Sequence, residues 1–151
     1  MNHNISADAL TDAAFNGDLE AVRTLVEAGA DVNTKGRVWN PLCAAIENNH
    51  SPVIQYLLNA GADPDFRHNG LPALHHMIDV EMDGYQQGNT PVLPSADLVK
   101  LLVEVGADIS LEYDGQTPLQ LAEWYHHEAA IKYLQSQVIQ LTAQQCAAPF
   151  A

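Results

Sequence analysis

Positive charge is scarce in this chain. Six Lys+Arg stand against nineteen Asp+Glu, a formal net charge of -13 with a pI near 4.6. Phosphate backbones and anionic lipid repel so acidic a chain, which argues against nucleic acid and membrane surfaces and for a basic protein as partner. Cysteine is scarcer still. Cys43 and Cys146, the only two and far apart, provide neither a disulfide framework nor a thiolate zinc site. No run approaches the roughly 18 consecutive apolar residues of a membrane span. Met1-Asn2-His3-Asn4-Ile5-Ser6 has neither the cationic nor the apolar region of a secretory signal. The expectation is a cytoplasmic protein with reduced thiols. A phosphate-cradling glycine loop is also missing.

What is present is a globular composition and a repeat. Hydrophobic residues make up 47% of 151, enough for one domain with a core. Gly-Ala-Asp occurs at Gly29, Gly61 and Gly106, and a leucine follows each glycine by 13 residues: Leu42, Leu74, Leu119. Counting back adds Leu10, so the unit is 32 residues, with an insertion of 13 before the last anchor. Twelve after the anchors, allowing for the insertion, sit Val22, Ile54, Val99 and Ile131; fifteen after sit Leu25, Leu57, Leu102 and Leu134. Three positions matched in four copies, and Gly-Ala-Asp in three, establish the repeat.

Each unit reads as two helices and a loop. The anchor opens a helix rich in small residues, such as Leu42-Cys43-Ala44-Ala45-Ile46, which allows close packing on neighbours. Gly17 and Asn48-Asn49 break it. A second helix carries an i, i+3, i+4 apolar stripe, Val22-Leu25-Val26 and Ile54-Leu57-Leu58, ending at the glycine. About ten polar, turn-rich residues follow and predict a protruding, hairpin-like loop. One helix pair cannot bury its own apolar face, so the copies must stack.

Thr117-Pro118-Leu119-Gln120-Leu121-Ala122, Asn40-Pro41-Leu42-Cys43-Ala44-Ala45 and Leu74-His75 resemble the ankyrin repeat's Thr-Pro-Leu-His-x-Ala motif, and the Gly-Ala-Asp segments resemble its terminus. The resemblance spans about Leu10 to Leu134. It implies an all-α repeat solenoid of stacked helix-loop-helix ankyrin repeats, at about 10–41, 42–73, 74–118 (insertion near 81–94) and 119–151. Departures are the period, one residue shorter than usual, and Pro72-Ala73-Leu74 in place of Thr-Pro-Leu. Val138 stands where the fourth terminal glycine would be, so the last helix is expected to run on as a cap; residues 1–9 cap the other end.

The register also accounts for signals that invite other chemistry. His75-His76 and His126-His127 suggest a metal cluster, but adjacent residues on a helix point apart. The resemblance gives His75 the motif's local hydrogen-bonding role, puts His50 and His127 at its Gly-His position, and puts Asn33 where ankyrin asparagines can be hydroxylated. No metal or other cofactor is expected. Ser51, Ser95 and Ser110 read as caps or turns, Ser95 as the N-cap of the helix at Asp97, and Cys43 as a partly buried small residue. No nucleophile–base pair stands out, and the expectation is a protein without catalysis.

Arg23, Lys100 and Lys132 all lie 13 after their anchors on the outer helices, which leaves Lys35, Arg37 and Arg67 on loops. In the family, partners dock on the concave side formed by hairpin tips and inner helices. That implication makes the tip residues Lys35, Arg37, Trp39, Phe66, Arg67 and Tyr113 candidate contacts, although Trp39 and Phe66 could simply pack on the next hairpin. Five and six residues after the anchors lie Phe15, Glu47, Asp79, Trp124 and Tyr125, a palm of aromatics and carboxylates suited to the Lys and Arg of a basic protein partner. The insertion, with two Gly and two Pro, reads as a loop offering Tyr85. A non-catalytic adaptor and an immunity-type inhibitor of a basic toxin or enzyme both fit. The chain alone is expected to be a monomer.

Overall fold

The computed structural model describes residues 7–35, 39–88 and 93–147. The order is α1 (Ala7–Asn16), α2 (Leu19–Glu27), α3 (Pro41–Glu47), α4 (Ser51–Asn59), β1 (Arg67–His68), β2 (Leu71–Pro72), α5 (Ala73–Gln86), α6 (Asp97–Glu104), α7 (Pro118–Tyr125) and α8 (Glu128–Cys146). Inner helices α1, α3, α5 and α7 pack in sequence, and outer helices α2, α4, α6 and α8 form a second layer. This is the stacked helix-loop-helix solenoid that the repeat implies.

Gly-Ala-Asp does three separate jobs at each outer-helix end. The glycine takes a left-handed φ, 96° at Gly29 and 109° at Gly106, where a side chain would be strained. The alanine N–H then turns back to the leucine fifteen after the anchor: Ala30 N–H to Leu25 O at 3.0 Å, Ala62 to Leu57 and Ala107 to Leu102 at 2.9 Å each. That is a Schellman closure. The aspartate Oδ1 accepts from the backbone two residues on, Asn33, Asp65 or Ser110, and starts the loop.

Loops are stitched to each other at one register position. Asn33 donates to Gly61 O at 3.0 Å and accepts from Asp63 N–H at 2.7 Å, while Asp65, one period later, accepts from Asp108 N–H at 2.8 Å. Beyond them the chain forms short hairpins. Asn69-Gly70 and Asp114-Gly115, all with positive φ, make two-residue turns that pair β1 with β2 and Tyr113 with Gln116.

The core is built from the repeat positions. Leu10, Leu42, Val22, Ile54, Val99, Leu57, Leu102 and Leu134 are fully buried. Leu25 and Ile131, on the end copies, are half-buried. Inner helices α3 and α7 start on Pro: Asn40 Oδ1 accepts from Cys43 N–H at 2.7 Å, and Thr117 with Gln120 forms a capping box. Pro72, at the same position before α5, cannot cap in this way. At the α1–α2 corner, Gly17 has φ 72° and faces the His50 ring, which a Cβ would meet at 2.6 Å; the ring is held there by Phe15 O at 3.0 Å.

Two local expectations need correction. The insertion is not a loop from Glu81: α5 continues to Gln86, because Met82 is buried and Glu81 has an interior partner, and these outweigh the roughly 1 kcal/mol cost of Gly84 in a helix. Ser95 is not the N-cap of α6. Ala96 holds that position with φ 61°, and Ser95 Oγ instead donates to Asp97 Oδ2 at 2.8 Å.

Candidate functional site

Two groups of candidate residues are held differently. The palm row runs across the inner helices: Phe15, Glu47 and Trp124 near the C-terminal ends of α1, α3 and α7, and Asp79 in the middle of the longer α5. Each member is tied to an adjacent repeat or residue. Asn48 Nδ2 donates to Phe15 O at 3.1 Å, so the ring of Phe15 stays 43% exposed on a fixed backbone. Glu47 Oε2 lies 2.8 Å from Nε2 of buried His76 on the next inner helix. Asp79 is hydrogen-bonded by the Tyr125 hydroxyl; burial raises its pKa, the tyrosine opposes that, and nearby Asp83 adds to it. Burial and the two aspartates push the Tyr125 hydroxyl up to about 12, so it stays a donor. Trp124 packs edge-on to Tyr125 at 4.7 Å and is 65% exposed. Tyr85 sits on the last turn of α5, 36% exposed.

The hairpin group is more integrated than the sequence suggests. Trp39 stacks on His68 of the next hairpin at 4.0 Å and on His76 at 5.5 Å, so it is half-buried wall as well as surface. Phe66 is also half-buried, whereas Lys35, Arg67 and Tyr113 are exposed. The Tyr113 ring meets His75 edge-on at 6.1 Å. Arg37 lies outside the described residues. Two helical cations are engaged on the outer layer: Arg23 lies over the Tyr56 ring, and Lys100 is 3.5 Å from Asp97.

The histidines act singly. His75 Nε2 bonds Gln116 O at 2.9 Å, His76 binds Glu47, and His127 binds Glu81. Neither carboxylate–histidine pair is visible in local sequence, since each joins different repeats. Among the described residues no three His, Cys, Asp or Glu side chains cluster to hold a metal, and no helix is long and apolar enough to cross a membrane. Burial pushes the Cys43 thiol up to about 12, while Cys146 is exposed. Iodoacetamide at pH 8 should therefore alkylate one thiol per native chain, Cys146, and two after denaturation. Mass spectrometry reads the count directly; rapid native labelling of Cys43 would contradict its burial.

Comparison with known proteins agrees with this geometry. Residues 10–85, half of the chain, match the family model described as ankyrin repeats (3 copies). Human mitochondrial disaggregase is 45% identical over 85 residues, 53% of this chain and 12% of that protein. Human ankyrin repeat domain-containing protein 40 is 43% identical over 60 residues, 38% of this chain and 16% of its own length. Human protein phosphatase 1 regulatory subunit 27 is 36% identical over 64 residues, 42% of each chain. The chain spans less than half the length of these relatives. Ankyrin repeats generally mediate protein–protein interaction, and the family is typically non-catalytic. By its repeat, its fold and this match, the chain belongs to the ankyrin repeat family.

Proposed function

We propose that the chain is a non-catalytic protein-binding module whose palm and hairpins engage a basic protein. The observation that carries this reading is the palm row itself. Glu47 and Asp79 stand between the exposed rings of Phe15 and Trp124, and His76 and Tyr125 hold the two carboxylates in fixed orientations. Oriented carboxylates lose little side-chain freedom on meeting a Lys or Arg, and exposed aromatics supply the apolar contact typical of hot spots. A net charge of -13 adds long-range attraction for a basic partner.

Inhibition of a basic toxin or enzyme, as by an immunity protein, is the narrower form of this reading, and the charge favours it over a neutral adaptor. One relative is by name a regulatory subunit of a phosphatase, which accords with a module that acts by binding an enzyme. The test is capture of partners by the native chain, eluted stepwise with salt and identified by mass spectrometry. A basic protein released only at high salt is the expected result. Several neutral partners that ignore salt would overturn the electrostatic reading, and stoichiometric metal on elemental analysis would favour a metalloprotein instead.

A further inference from the structure

One cavity on the binding side has the opposite polarity to the palm. It lies between the loop before α3 and the β1–β2 hairpin, has a volume of about 210 Å³, and is lined by Lys35, Trp39, Asn40, Phe66, Arg67, His68 and Asn69. In a chain with nineteen acidic residues, none of them lines it. Asn40 shows what the cavity lacks. Its Oδ1 is committed as the cap of α3, accepting from Cys43 N–H at 2.7 Å, and that bond fixes which end of the amide is which. The Nδ2 donor, on a residue 1% exposed, finds no partner among the described residues. An unpaired buried donor costs about 1–3 kcal/mol, and native structures generally keep such groups satisfied. Thr117, at the same register position before α7, caps through a hydroxyl and carries no amide N–H. Nothing about capping requires the extra N–H of Asn40.

We propose that this cavity receives the carboxylate of an Asp or Glu side chain on a bound protein segment. Asn40 Nδ2 donates to the carboxylate from the floor, and Lys35 and Arg67 neutralise it from the exposed rim. Trp39, stacked on His68, and half-buried Phe66 line the cavity as apolar wall for the methylenes of the same side chain. The site is separate from the palm, so a partner using both presents an acidic residue to this cavity and basic residues to the inner helices.

The two tryptophans make the test selective, because Trp39 borders the cavity and Trp124 stands on the palm. The 15N-labelled chain is titrated with a capped pentapeptide, Ala-Leu-Glu-Leu-Ala, with its central-Gln analogue, and with inorganic phosphate. The Glu peptide should shift the Asn40 side-chain amide and the Trp39 indole saturably and leave the Trp124 indole still. Affinity should fall at least fivefold for the Gln peptide and for Asn40→Thr, which keeps a cap but replaces the amide N–H with the single O–H of a shorter side chain. Arg67→Gln, at an exposed position, carries the same expectation should Asn40→Thr fail to fold. Absence of a saturable shift, equal binding of the Gln peptide, tighter binding of phosphate, or unchanged affinity in the folded variants would each overturn the proposal.

Discussion

Replacing His127 with alanine should destabilise the chain by about 3 kcal/mol or more, a large share of the roughly 5–15 kcal/mol that holds a domain together. His127 is 2% exposed and does two things at once. Its Nδ1 accepts from Ala130 N–H at 3.4 Å, capping α8, which places the ring proton on Nε2. From there the ring donates to Glu81 Oε2 at 2.8 Å, where the Glu81 side chain is only 9% exposed. Alanine leaves a nearly buried carboxyl group without its partner and removes the cap, worth about another 1 kcal/mol. Solenoid stability is mostly a sum over neighbouring repeats, so the loss should concentrate where α5 meets the last repeat. Urea unfolding gives the total, and hydrogen exchange should show α7 and α8 opening first. Adding Glu81→Leu should recover part of the loss, because the stranded carboxyl group is then gone. A change below 1 kcal/mol would mean the pair contributes little.

Neutralising the palm should have the largest effect on function. The double variant Glu47→Gln, Asp79→Asn keeps hydrogen-bonding groups for His76 and Tyr125 while removing both charges. Two close charge pairs lost from a partner contact amount to about 3 kcal/mol, or roughly 100-fold in affinity. Charge reversal to Lys at both positions should abolish capture. Asp79 also sets a pH dependence. Its raised pKa means that acidification protonates it before an ordinary carboxylate, so capture should weaken earlier on the acid side than exposed carboxylates alone would produce. Biolayer interferometry against the captured partner, across salt and pH, measures these effects. Wild-type affinity in the double variant would remove the palm from the interface.

The repeat carries most of the fold on its surface. A period of 32 places the anchors, and stacking then puts Leu42, Ile54, Leu57 and Val99 in the core, so these follow from spacing alone. Local chemistry was legible where a dipeptide specifies a backbone: Asn69-Gly70 and Asp114-Gly115 are turn signatures that sharpen a turn-rich loop into a two-residue hairpin. Where tertiary contacts decide, spacing is silent. Gly84 reads as a breaker until Met82 finds the core and Glu81 finds His127. Trp39 reads equally as an exposed tip or as wall against the next hairpin until His68 stacks on it. The palm was legible as a row, but the fixing of Glu47 by His76 was not, since their 29-residue separation acquires meaning only once two repeats are stacked.

The most direct test of the account is hydrogen–deuterium exchange on the captured complex. The account predicts protection at the C-terminal ends of α1, α3 and α7 and in the middle of α5, in peptides containing Phe15, Glu47, Asp79 and Trp124, together with the loop before α3 and the β1–β2 hairpin. The outer faces of α2, α4 and α6 should exchange as in the free chain. Protection confined to those outer helices, with the palm unchanged, would contradict it.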